Sequence, residues 1–147
     1  MKIYMDTCCY TRPFDDQMQD KIRMESEAIM AILYRCENEV LELVGSEVLE
    51  YELSNNMDNV KRLKAETLYK IVKESAVINE VIEERAKELE KFGLKSFDSL
   101  HLSCAEYLQS DILLTVDIGF MKGAAKSDSF VKVQNPVNWL MEVIESE

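Results

Sequence analysis

The chain has 147 residues, is 47% hydrophobic, contains four Gly and two Pro, and carries a formal net charge of −11. A length near 150 buries about two-thirds of its unfolded surface without staples, so one domain spanning residues 1–147 is expected, with no low-complexity tract or linker. The acidic balance argues against broad electrostatic capture of nucleic acid, and no apolar run approaches the roughly eighteen residues of a bilayer span.

Residues 2–5 predict an opening strand that ends in Asp6 and Thr7. Residues 21–35 place Ile22, Ile29, Ile32 and Leu33 at helical spacing, and 40–44 predict a second strand. Helical patterns cover 47–53 and 60–73, a short strand follows at 75–78, and helix resumes at Asn79 and stops at Gly93. A helix over 98–109, strands over 112–116 and 130–133, and a closing helix over 136–144 with Pro136 in its first turn complete the chain. The alternation predicts an α/β class: three α/β/α layers around a central, mostly parallel sheet of about five strands. Ligands in such sheets sit outside the carboxyl ends of the strands, where Asp6 and Asp117 of "LLTVD" both fall.

The cysteines Cys8, Cys9, Cys36 and Cys104 lie in apolar surroundings without CxxC spacing, which suits reduced core residues rather than zinc ligands or disulfides. The N-terminus lacks the basic-then-apolar pattern of a signal peptide, so a cytoplasmic location with no membrane partner is expected.

Two readings stand open for each strand-end acid. Asp6 and Asp117 either accept hydrogen bonds from the following turn, an Asx-turn in "DIG" for the latter, or face a cation. Asp98 opens the helix "FDSLHLSCAEYL", where a carboxylate caps free N–H groups, yet it lies inside the edge of the apolar arc of Phe97, Leu100, Cys104, Ala105 and Leu108 rather than with Ser99 and Ser103. His101, the only histidine, falls near the centre of that arc and reads as a core histidine held by a hydrogen bond. In "SEVLEYELS", with Val48 at 0°, Glu52 falls at about 40°, inside the apolar arc, while Glu50 and Glu47 fall at about 200° and 260°, outside it. An unpaired inward carboxylate is costly, and no compensating cation lies near these acids in sequence. A hard divalent ion accounts for all four at once, and a pair of such ions can activate water and stabilise a leaving oxygen, the chemistry of phosphodiester hydrolysis. The ion would also supply the local positive charge that the chain lacks.

In order and spacing, "IYMDTCC", "LEYELS", "KSFDSLHLSCAE" and "LLTVD" resemble the four acidic motifs of the PIN-domain family of metal-dependent nucleases, across nearly the whole chain. The loop "CCYTRPFDDQ" resembles that of small prokaryotic PIN-like proteins. The resemblance implies a PIN-like α/β/α fold, Mg²⁺ or Mn²⁺ as cofactor, and endoribonuclease activity, often as the toxin of a VapBC-type toxin–antitoxin pair, with a separate antitoxin chain as partner and room for a homodimer. It assigns the catalytic and metal-binding roles to Asp6, Glu52, Asp98 and Asp117, with Glu50 the alternative second acid and Thr7 and Thr115 as supporting hydroxyls. Arg12, Lys61, Arg62 and Lys64 are the candidates for RNA phosphate contacts, against the competing reading of surface ion pairing. The rival function is a PIN-like domain that binds RNA or protein without cutting. A haloacid-dehalogenase-like phosphatase would need an Asp where Cys8 stands, and no glycine-rich nucleotide loop occurs.

Overall fold

The computed structural model describes residues 1–147. Five strands, β1 (Lys2–Met5), β2 (Glu42–Ser46), β3 (Glu74–Ala76), β4 (Ile112–Leu114) and β5 (Lys132–Gln134), pair in parallel throughout in the order β3-β2-β1-β4-β5. A parallel sheet is covered on both faces, and the central strands show it: Ile3, Tyr4 and Met5 are all buried, as are Ile112, Leu113 and Leu114. Between the strands run α1 (Thr7–Thr11), a 3₁₀ turn at Arg12–Phe14, α2 (Asp20–Glu37), α3 (Glu47–Ser54), α4 (Asn59–Tyr69), α5 (Glu80–Glu90), α6 (Ser96–Tyr107), α7 (Ile118–Lys126) and α8 (Pro136–Ser146). Right-handed crossovers set α2 and α4 on the face opposite α6, which carries the chain back across β1 to β4. On its own face α2 packs with α8, and α6 packs with α5 on the other.

Local chemistry fixes the helix starts. Ser46, Asp58, Asn79, Asp117 and Asn135 each cap the helix that follows through a side-chain oxygen, and Pro136 takes a first-turn position where its missing N–H costs nothing. Gly93, at φ 98°, ends the α5 region in the left-handed conformation expected of it.

Several boundaries differ from the sequence reading. The helix expected over 60–73 ends at Tyr69, because the Lys73 N–H already donates to Leu43 O at 2.9 Å and draws the chain into the sheet. The second strand starts at Glu42 rather than at 40, since α2 runs on to Glu37 and a left-handed Glu39 (φ 62°) makes the turn. The last strand lies at Lys132–Gln134, leaving Phe130 exposed. Two short helices, α1 and α7, fall where strand ends and a turn were expected. The serine side of α6, expected to face solvent, is buried: Ser99 and Ser103 are both inside, and Ser103 Oγ donates to Ile82 O of α5 at 2.7 Å. Packing between the sheet and α5 leaves this helix little free surface, and small hydroxyl residues let α5 approach. Cys9, Cys36 and Cys104 are buried and Cys8 half-buried, all four as free thiols.

At Gly45 in β2, a Cβ would stand 2.3 Å from the Tyr69 hydroxyl and 2.9 Å from its ring. That hydroxyl is fixed by bonds to Ser46 O and Glu50 Oε2, so the ring cannot simply swing aside. Gly45→Ala is expected to destabilise the fold by about 1–3 kcal/mol through overpacking. In denaturant melts the Gly45→Ala/Tyr69→Ala double variant should then lose less than the sum of the single losses; strict additivity would contradict the contact.

Candidate metal centre

The sheet register assembles the centre. Met5 of β1 stands opposite Leu114 of β4, and the Asp6 N–H extends the ladder to Leu114 O at 2.9 Å, so Asp6 and Thr115 leave the sheet side by side. Thr115 Oγ1 donates to Asp6 Oδ2 at 2.8 Å, and Asp6 Oδ1 accepts from the Thr7 N–H at 2.8 Å. Asp6 is only 7% exposed. Two residues beyond Thr115, Asp117 caps α7 by accepting from the Phe120 N–H at 3.2 Å, while its own N–H donates to Thr115 Oγ1 at 3.1 Å. Both strand-end acids therefore hold local turns, as their hydrogen-bonding readings anticipate. The geometry leaves their remaining carboxylate lone pairs available to a cation.

Glu52 comes to Asp6 from α3. Its Oε1 accepts from Thr7 Oγ1 at 2.7 Å and lies 2.5 Å from His101 Nε2, which is itself 3.5 Å from Asp6 Oδ1. Glu50 turns elsewhere, to Ser75 Oγ at 2.6 Å and the Tyr69 hydroxyl, and Glu47 accepts from the Ile78 N–H. The helix phase that separates Glu52 from its two neighbours thus corresponds to three different sets of partners.

His101 is 1% exposed, and its Nδ1 lies 2.7 Å from the Tyr4 hydroxyl, which in turn lies 2.6 Å from Ser46 Oγ. Burial favours the neutral imidazole, but the bond to Glu52 and the charges of Asp6, Glu52 and Asp98 outweigh it and raise the His101 pKa. For Glu52 burial pushes the pKa up, and the bond and charge of His101, with the Thr7 hydroxyl, overcome that and bring it down. The two directions agree: each partner favours the charged form of the other. Protonated, His101 donates at both nitrogens, to Glu52 and to Tyr4, and Tyr4 passes its own proton toward Ser46; neutral, it keeps Nε2–H on Glu52 and accepts from Tyr4. In either state the buried polar chain is satisfied.

Asp98, on the first turn of α6, is half-buried and accepts no hydrogen bond from any side chain or backbone N–H. Burial, then the charges of Asp6 and Asp117, push its pKa up to about 6, against the weaker opposing pull of His101 and Lys95. One potential ligand atom each of Asp6, Glu52 and His101 lies within 4.8 Å of the other two, but both His101 nitrogens are engaged, Nε2 with Glu52 and Nδ1 with Tyr4, which leaves the two carboxylates as the donors. Asp98 and Asp117 stand outside that group at this distance and bear on it through their charges, which act on one another. Carboxylate oxygens are the donors a hard divalent ion takes, and a half-buried carboxylate without a donor is what a bound cation would satisfy.

His101 and Cys8 are the two neighbours that sequence reasoning did not place here. The position of His101 on the same arc as Asp98, one turn on, was the available signal. Cys8 gave none, although its Sγ lies 3.4 Å from both Asp6 Oδ2 and Thr115 Oγ1. The candidate phosphate-binding cations are engaged with other groups. Arg12 meets Asp15 at 3.2 Å and Glu25 at 3.3 Å, Lys61 meets Asp15 at 2.7 Å, and Arg62 bonds Asn59 at 2.8 Å with Glu66 at 3.6 Å. Lys64 lies 5.6 Å from the centre of the Phe14 ring.

No family model matches the sequence, and no curated protein matches it. Solved structures do match the fold. FitAcB from Neisseria gonorrhoeae aligns with a TM-score of 0.62 at 16% identity, over 91% of this chain and 97% of that one. VapBC2 from Rickettsia felis, solved bound to a DNA fragment from its promoter, aligns with a TM-score of 0.58 at 16% identity, over 92% and 98%. PAE2754 from Pyrobaculum aerophilum gives 0.58 at 14% identity, over 100% and 91%. With identities this low the likeness speaks for architecture alone, and the architecture is the three-layer, parallel-sheet, PIN-like α/β/α fold that the four acidic motifs lead one to expect.

Proposed function

We propose that this chain is a Mg²⁺- or Mn²⁺-dependent endoribonuclease, the toxin partner of a toxin–antitoxin pair. The observation that carries the reading is Asp98: a half-buried carboxylate with no hydrogen-bond donor, pushed up to about 6 beside two further acids. Asp6, Glu52, Asp98 and Asp117 would hold the cation. When bound, it would activate water and stabilise the developing charge on phosphate oxygens. The chain's own groups set up that arrangement. Thr115 orients Asp6, Thr7 and His101 hold Glu52 in place, and the α7 cap fixes Asp117. An antitoxin as a separate chain is supported by the likeness to VapBC structures. One contact favours the non-catalytic alternative: His101 Nε2 and Thr7 Oγ1 already hydrogen-bond Glu52 Oε1, so this carboxylate has partners without metal.

Purified protein incubated with structured RNA should cleave it in Mg²⁺ or Mn²⁺, poorly in Ca²⁺, and not in excess EDTA. Asp98→Asn and Glu52→Gln should each lower the rate by about 100-fold or more, whereas Glu50→Gln stays within a few-fold. Cleavage undiminished by EDTA, or equal losses at Glu52 and Glu50, would contradict the assignment.

The raised Asp98 pKa also sets a pH dependence for the metal-free fold. Because its folded value of about 6 exceeds the ordinary 3.8, the native state binds the proton more tightly than the unfolded chain. Its contribution is most favourable below the unfolded value and declines as pH rises through this window. Denaturant melts in EDTA should show wild type losing stability between those values relative to Asp98→Asn, by on the order of 1 kcal/mol once partial exposure is allowed for. Saturating Mn²⁺ should remove the decline. Parallel stability–pH curves for the two proteins would contradict a crowded, donor-free Asp98.

A further inference from the structure

Immediately before each helical acid of the centre stands an aromatic residue: Tyr51 before Glu52 on α3, and Phe97 before Asp98 on α6. Their rings lie 11° from parallel with centroids 6.3 Å apart. Both are open to solvent, Tyr51 at 59% and Phe97 at 46%. The other ring contacts, Tyr4 with His101 and Tyr10 with Tyr69, are edge-on and involve fully buried Tyr4 and Tyr10. Phe97 was expected to turn into the core with the apolar arc of α6; instead it lies beside Tyr51 at the surface.

We propose that Tyr51 and Phe97 form a stacking platform for an unpaired nucleobase of the RNA substrate, next to the phosphate held at the acidic centre. The proposal rests on the ribonuclease reading above and adds how the substrate is held. Three features favour a base over other occupants. The paired rings stand on the same two helices as Glu52 and Asp98, each one residue before the acid, so a phosphate held there through a cation would bring its own nucleoside toward these rings. Near-parallel aromatic faces extend naturally to a third ring, and every base has a π-face, so the contact tolerates any sequence. Charge supplies a limited part of the grip: the chain carries −11, Arg12, Lys61 and Arg62 are already paired with acids, and Lys95 is the lysine whose charge is felt at Asp98. Binding then draws in part on a contact that salt does not screen.

The test measures binding of a short fluorescein-labelled single-stranded RNA by anisotropy in Ca²⁺, with Mn²⁺-dependent cleavage followed in parallel. Tyr51→Ala and Phe97→Ala should each weaken binding by about 5- to 100-fold and raise KM, with melting temperature and the slope of log affinity against log salt unchanged. Tyr51→Phe should bind like wild type, and Tyr51→Leu should not. Wild type should lose affinity for an oligomer of the same length made of abasic residues, and the Ala variants should lose little more. If wild type cleaves RNA while the Ala or Leu variants bind as tightly as it does, the platform is wrong and the nuclease reading stands. If wild type neither binds nor cleaves, the nuclease reading fails and takes the platform with it. A changed salt slope in the Ala variants would assign the loss to phosphate contacts and overturn stacking.

Discussion

Carboxylates crowded at the open end of a parallel sheet set the terms for the rest of this molecule. Parallel pairing of β1 with β4 brings Asp6 and the Thr115–Asp117 segment off the sheet together, and the crossover helix α6 adds Asp98 to the same end. Two like charges about 4 Å apart repel by roughly 1–4 kcal/mol at effective dielectrics of 80 to 20, and partial burial pushes the cost toward the upper end. The fold meets this locally where it can. Asp6 is bonded by Thr7 and Thr115, Asp117 by the first turn of α7, and Glu52 by Thr7 and His101. Asp98 alone receives no donor, and burial, with the charges of Asp6 and Asp117, raises its pKa.

His101 shows how a buried polar group can be structural and bear on a site at once. The chain from Ser46 through Tyr4 and His101 to Glu52 ties the start of α3, the centre of β1 and the middle of α6 to one carboxylate. Each member is satisfied, so the chain fixes the orientation of Glu52 rather than leaving it to solvent. Ser46 does double service: its Oγ also accepts from the Leu49 N–H and so caps the helix that carries Glu52. A core histidine held by a hydrogen bond, as the sequence suggests, is what His101 is; the partner holding it is what makes it relevant to the acidic centre.

Periodicity made the sheet and the long helices readable, because α2, α5 and α8 bury one face and expose the other, and β1 closes against both helical layers. The phase of α3 was readable for the same reason, with Glu52 turned inward and Glu50 outward. Periodicity was less informative for α6. Ser99 and Ser103 are buried for closeness of packing rather than for hydrophobicity, and Phe97 is at the surface beside Tyr51, so composition around the wheel misstates which sides are covered. The short α1 and α7 were hidden because each is shorter than the window in which helical spacing becomes visible, and strand-end acids read equally well as turns. The pairing of Arg12 and Lys61 through Asp15 joins residues up to 49 positions apart, from Arg12 to Lys61, which no local pattern encodes.

The most direct measurement is the anomalous difference density of a crystal grown or soaked with Mn²⁺, collected at the manganese edge. The account predicts a peak at the carboxyl end of β1 and β4, with Asp6 and Asp98 oxygens within coordination distance and Glu52 or Asp117 close by. No peak there under saturating Mn²⁺, or a peak elsewhere while Asp98 remains without a ligand, would contradict the claim that these acids are gathered for a cation.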